Sequence, residues 1–159
     1  MKTLTLFLLI SLNLTIQAQE KAQGVQTVTT DFERVEIIRM KPGTDLLEGL
    51  SMAIKEKKIN NAVILTGIGS VTDYQYHVVS DKNLPPAIEY PKASVPMDLV
   101  SVQGYILNGK IHAHIALSDE NSVVGGHLEK GTIALTFFII SIGVLPDSLN
   151  MVNFDNYKY

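Results

Sequence analysis

Residues Met97–Ser118, MDLVSVQGYILNGKIHAHIALS, decide how this chain folds. Two strand-like runs, 97–107 and 110–118, flank the dipeptide Asn108-Gly109. A two-residue type I′ turn needs positive φ at both central positions, which Asn tolerates and Gly takes freely, so the segment reads as an antiparallel hairpin. Side chains two apart on a strand share a face. His112 and His114 therefore project together, while Ile111, Ala113 and Ile115 face the other way into an apolar layer.

Working outward, Asp119–Ser122 reads as a turn, and Gly125-Gly126-His127-Leu128 follows it. Residues 132–144, TIALTFFIISIGV, are β-branched and aromatic, which predicts a strand buried on both faces. Pro146 ends it, leaving 147–159 as a polar, loose C-terminal tail. Upstream, Asp31–Lys41 carries apolar residues on both alternating sides and suits a strand that Pro42-Gly43 ends. Asp45 and Glu48 have capping-box spacing, with Asp in place of Ser or Thr. Leu46, Leu47, Leu50, Ala53 and Ile54 recur at helical spacing, predicting an amphipathic helix to about Lys58 that Asn60-Asn61 breaks. Its end carries Lys55, Lys57 and Lys58, cations that suit the helix dipole there. A short strand, 62–66, is expected to join a second, 71–79, through a tight connection at Gly67-Ile68-Gly69-Ser70. Pro85, Pro86, Pro91 and Pro96 make Ser80–Pro96 a long loop or an edge excursion.

The first residues stand apart from this domain. A positive start, Met1-Lys2-Thr3, precedes an apolar run, Leu4–Ile16, and a small-residue cleavage site at Ala18. That is the pattern of a secretory signal peptide (1–18), too short for a membrane span. The mature chain is then exported, to a periplasm or the exterior, with 19–30 as a flexible lead-in, 31–146 as one domain and no stable membrane span after cleavage. The sequence holds no Cys, which excludes a lipid-anchored cysteine, a thiol nucleophile and disulfides. Thirteen basic and 16 acidic residues give a net charge of −3, one more negative once Lys2 is removed. Phosphate backbones demand clustered Lys and Arg, so nucleic acid is an unfavoured partner.

His112 and His114 on one strand face can converge on a single ion, and His127, after two glycines that permit close backbone approach, is a candidate third ligand. Three neutral imidazoles with an open fourth position suit a divalent metal, zinc first. The competing reading is three polar residues on a wet strand face. His77 lacks a partner at ligand spacing and reads as a surface or hydrogen-bonded histidine. Asp119, Glu120 and Glu129 read as solvated turn residues, with a supporting or general-base role as the alternative. The Gly67-Ile68-Gly69-Ser70 run lacks the third glycine and the lysine of phosphate-binding loops, and no G-x-S-x-G elbow is present. No catalytic residue is assigned.

In combination, Gly67-Ile68-Gly69-Ser70, Leu99–Gly104, His112-x-His114 and Gly125-Gly126-His127-Leu128 resemble the PPC domain, the plant and prokaryote conserved domain also found in plant AT-hook nuclear-localised proteins. The resemblance spans about Glu33–Leu145. It implies an α/β fold of the α+β type: a mostly antiparallel β-sheet with a flanking helix, assembled as a homotrimer. It also implies that His112, His114 and His127 lie near a subunit interface and bind a divalent metal, as in some bacterial members, with room for a small-molecule ligand. The family's DNA-binding description rests in plants on a separate R-G-R-P-type AT-hook, which this chain lacks. Three readings follow: an exported trimeric metal-binding protein, a metal-dependent hydrolase or lyase with Glu129 or Asp119 as proton acceptor, and a DNA-binding protein.

Overall fold

The computed structural model describes residues 25–151 and 154–155, so the predicted leader and residues 19–24 of the lead-in lie outside the described residues. Among the described residues the elements run β1 (Arg34–Met40), α1 (Leu46–Glu56), β2 (Ala62–Val79), β3 (Ile88–Glu89), β4 (Lys92–Ala93), β5 (Met97–Leu107), β6 (Lys110–Ser118), β7 (Val123–Leu128) and β8 (Ile133–Val144). The main sheet has the order β1-β8-β2-β5-β6-β7, and its pairings are antiparallel. The far end of β2 also pairs with β7, so β2, β5, β6 and β7 close on themselves as a small barrel. This is the mostly antiparallel sheet with one helix that the sequence suggests.

The hairpin forms as predicted. Asn108 and Gly109 take φ of 52° and 74°, and Leu107 pairs with Lys110. The expected break at Gly67–Ser70 does not occur, because β2 runs unbroken for 18 residues. Its irregularities are register shifts against β8 at Ile64/Thr66, Gly69/Val71 and Val71/Asp73. The glycines serve packing instead of turning: a Cβ on Gly67 would lie 2.5 Å from Ile140 Cδ1 and 2.7 Å from Val102 Cγ2.

The helix stops two residues sooner than periodicity suggests. Lys58 takes φ 52°, and Ile59 N–H donates to the Ile54 carbonyl at 2.8 Å, so the chain turns before the two asparagines. Asp45 caps the other end by accepting from Glu48 N–H at 3.0 Å. The box is only half built, since the Glu48 carboxylate accepts instead from Lys130 at 3.0 Å. Asn61 is buried and ties separate segments together: it accepts from Asn108 N–H at 3.1 Å and donates to the Leu149 carbonyl at 3.1 Å.

Pairing register assigns the two faces of the sheet. Ile142, Ile64, Gly104 and Ala113 form one row across β8-β2-β5-β6, on the face that Leu46, Leu50 and Ile54 of α1 close. Burying each of those three helix residues contributes about 1.5–3 kcal/mol. A neighbouring row, Val35-Gly143-Val63-Tyr105-His112, lies on the opposite face, over which no helix packs among the described residues. The expectation that β8 is buried on both faces holds toward its end and fails at Leu135 and Thr136, which are exposed.

Ser80–Pro96 is an edge excursion with short pairings of its own. β3 pairs with Val78-Val79 and β4 with Tyr74-Gln75. Asp81 organises the turn between them and β2, accepting from Asn83 N–H at 3.0 Å and Ala87 N–H at 2.9 Å. After Pro146 the described residues are anchored where looseness was expected. Asn60 donates to Asp147 at 3.1 Å, Met151 is buried, and Phe154 N–H donates to the Met151 carbonyl at 3.1 Å.

Candidate metal centre

The face opposite α1 gathers every histidine of the chain. His112 and His114 sit two apart on β6, and register places His114 opposite His127 of β7. His127 in turn lies opposite His77 of β2, because β7 also closes onto that strand. Strand alternation predicts the His112–His114 pair. The second crossing brings in His77, which sequence spacing leaves without a partner. Ring centroids of His112 and His127 are 4.7 Å apart, those of His114 and His127 5.3 Å, and the His77 ring stacks on His127 at 4.3 Å.

One ligand nitrogen from each of His112, His114 and His127 lies within 4.8 Å of the other two. Nitrogens around a tetrahedral zinc are about 3.3 Å apart, from metal–nitrogen bonds of about 2.0–2.1 Å, so modest side-chain rotations bring the three into range. His77, His127 and Glu129 satisfy the same 4.8 Å criterion as a second group sharing His127. Glu129 is therefore no mere solvated turn residue, whereas Asp119 is one: it accepts from the N–H groups of Asn121 and Ser122 at 2.8 and 2.7 Å, and these bonds hold its carboxyl below the ordinary range. Glu120 sits exposed beside it in the same turn.

Two carboxylates orient two of the rings. His77 Nδ1 lies 2.6 Å from Glu129 Oε1, and His112 Nδ1 lies 2.6 Å from Asp155 Oδ1. A carboxylate accepts, so each Nδ1 carries the hydrogen and Nε2 is the nitrogen of each ring left available to a ligand. No spacing in the sequence points to Asp155, which lies in the segment that reads as a polar tail. The only hint was Met151 and Phe154, apolar residues three apart in that stretch.

Electrostatics favour the neutral form of His127 and of His114. Burial, then the neighbouring His77, His112 and His114, push His127 down to about 4, against a small opposing pull from Glu129. His114 is lowered as well, first by loss of solvation and then by His112 and His77, although part of its ring stays in solvent. A neutral imidazole is the form that binds a metal, so the protein has already met part of the proton-release cost of binding.

A cleft of about 750 Å³ opens beside the rings, lined by His77, His112, His114 and His127. Pro85, Pro86 and Ile88 of the edge excursion form part of its wall, and Tyr90 lies 5.5 Å from His77. That segment thus borders the site. Among the described residues no helix is long and apolar enough to cross a membrane.

A model of the Plants and Prokaryotes Conserved (PCC) domain matches residues 27–146. Solved structures with the same fold include a metal-containing protein from Archaeoglobus fulgidus (TM-score 0.66, 20% identity, 76% of this chain and 86% of that one). A plant- and prokaryote-conserved protein from Pyrococcus horikoshii is similar at TM-score 0.64 and 22% identity, over 78% and 87% of the two chains. A Bacteroides thetaiotaomicron protein provisionally described as DNA-binding matches at TM-score 0.63 and 18% identity, over 77% and 87%. A curated relative, the bifunctional protein GlmU of a Synechococcus strain, is 26% identical over 125 residues; the match covers 78% of this chain and 19% of the relative.

Proposed function

The chain belongs to the Plants and Prokaryotes Conserved domain family, and on that premise we propose that it binds one divalent metal ion, zinc first, through His112, His114 and His127. The observation that carries this reading is the convergence of three imidazole nitrogens, one of them on a ring whose other nitrogen is already committed to Asp155. Bound there, zinc would keep a fourth position for water or an oxygen-donor small molecule and would act on it as a Lewis acid. The residues themselves keep His127 neutral by burial, orient His77 and His112 through Glu129 and Asp155, and border the cleft with apolar prolines. No reaction is assigned; hydrolase or lyase chemistry is the alternative that activity screening of loaded protein would reveal.

Metal content decides the proposal. Purified mature protein held in excess zinc and then desalted should carry about one ion per chain, and the His112→Ala, His114→Ala double variant far less. Equal and negligible metal in both would overturn the reading.

The same proposal includes a homotrimer and export. The sheet face opposite α1 exposes Val35, Ile37 (71%) and Ile68, which is apolar area that a second copy would bury. Ile37→Lys should convert a trimer to monomers in light scattering, and an unchanged assembly would sink that part. Export rests on the Leu4–Ile16 leader and fails if the cellular protein keeps its N-terminus. DNA binding has the provisional descriptions of two structural relatives behind it, and the net charge of −3 against it. A salt-sensitive gel shift at physiological ionic strength would revive it.

A further inference from the structure

Asp155 lies nine residues beyond the matched domain, yet its carboxylate reaches the histidine face. We infer that Asp155 is a positioning residue of the metal centre, supplied by the C-terminal segment, which fixes the ring of His112 so that its Nε2 faces the site. The inference rests on the metal-binding reading and adds to it a residue from outside the family domain.

Three observations support it. Asp155 Oδ1 accepts from His112 Nδ1–H at 2.6 Å, a close contact between a ring N–H and a carboxylate. Its other oxygen is not idle: Oδ2 lies 3.6 Å from Lys110 Nζ, on the same strand as His112 and on the same side. The segment that brings Asp155 there is fastened independently of the site. Asn61 holds the Leu149 carbonyl at 3.1 Å, Met151 is 4% exposed, and Phe154 turns back onto the Met151 carbonyl at 3.1 Å. A carboxylate placed on the far nitrogen of a ligating imidazole selects the tautomer and raises ligand basicity, and removing such a partner typically weakens metal affinity about 10–100-fold.

The rest of the site shows why His112 needs this help. His127 is packed between His77 and the β6 histidines, whereas His112 is the first of the pair and borders a second, largely apolar cleft lined by Tyr105, Leu107 and Phe154. Without Asp155, nothing among the described side-chain hydrogen bonds fixes which nitrogen of His112 faces the other rings.

The test uses full mature chain in three forms: wild type, Asp155→Ala and Asp155→Asn. Zinc affinity is measured by competition with a chromophoric chelator, and the His112 tautomer by nitrogen-15 NMR of metal-free protein at about pH 7.5. The proposal expects Asp155→Ala to weaken zinc about 10–100-fold, with Asp155→Asn in between because its amide oxygen still accepts. It also expects the Nδ1–H tautomer of His112 to give way to a mixture in Asp155→Ala, while thermal unfolding of the metal-free protein stays within a few degrees. Unchanged affinity and unchanged tautomer overturn it. If wild type binds no zinc but the tautomer still shifts, the metal reading fails while the positioning of His112 stands; the two failures are thus distinguishable. A large fall in the unfolding temperature of Asp155→Ala would recast Asp155 as structural and overturn the proposal.

Discussion

His127→Gln should flatten the acid-side loss of stability of the metal-free protein. In the native state His127 titrates at about 4, whereas in the unfolded chain it returns to 6.5. Between those values the unfolded state binds a proton that the native state refuses. Stability from this group is therefore complete above the unfolded value and is lost as pH falls toward the native one. For a single site with these two values, the loss on going from about pH 7.5 to about pH 5 has a ceiling of ~2 kcal/mol. The ring is only partly buried, so solvent screening reduces that ceiling, and ~1 kcal/mol is the working figure. Gln is neutral in both states and contributes no such slope.

Urea unfolding of chelator-treated protein at the two pH values, at one fixed protein concentration, reads this directly. Wild type should lose about 1 kcal/mol more than His127→Gln over the interval. The difference isolates His127, because the lowering of His114 comes from its own burial and from His112 and His77. Carboxylates that do not interact with His127 contribute equally to both proteins and cancel. Parallel losses in the two proteins would refute the claim that burial and like-charged neighbours hold His127 neutral.

Gly126→Ala should cost about 1–3 kcal/mol by overpacking, since a Cβ there would meet the His77 carbonyl oxygen and lie 2.8 Å from the Tyr76 ring. A denaturation midpoint equal to wild type would show that β7 and β2 can separate freely. Asp45→Ala should cost about 1–2 kcal/mol, because Asp45 accepts from both Glu48 N–H and, at 2.7 Å, Gly131 N–H. A loss below about 0.5 kcal/mol in the same assay would mean that water replaces both bonds.

Local chemistry made the hairpin, the helix and its cap legible, because each depends on residues within a few positions of one another. Asn108-Gly109 and Asp45 specify backbone conformation on their own. The misread segments are those whose meaning depends on distant partners. Gly67 and Gly69 look like a turn until β5 and β8 lie alongside, when they become the positions that allow β2 to continue between two neighbours. His77 and Glu129 are 52 residues apart and meet only because β7 crosses back to β2. Asp155 reaches His112 across 43 residues, and no spacing within the motif announces it.

The histidine face and the barrel interior are two readings of one alternation, and that couples the site to the fold. On β6 the inward positions are Ala113 and Ile115, and the outward ones His112 and His114. On β7, Gly126 pairs with Ile115 and His127 with His114. A slip of one residue between these strands would exchange faces, turning His127 into the layer of Ala113 and Ile115 and moving a glycine opposite His114. The penalty for burying an unpartnered imidazole disfavours that slip, as does the tight approach at Gly126, where the His77 carbonyl leaves no room for a side chain. The two glycines before His127 therefore do more than let the backbone bend: they hold the register in which a β6 pair, a β7 ring and a β2 ring occupy one face. Any variant that assembles the barrel in this register will also assemble the four rings, whether or not metal is present.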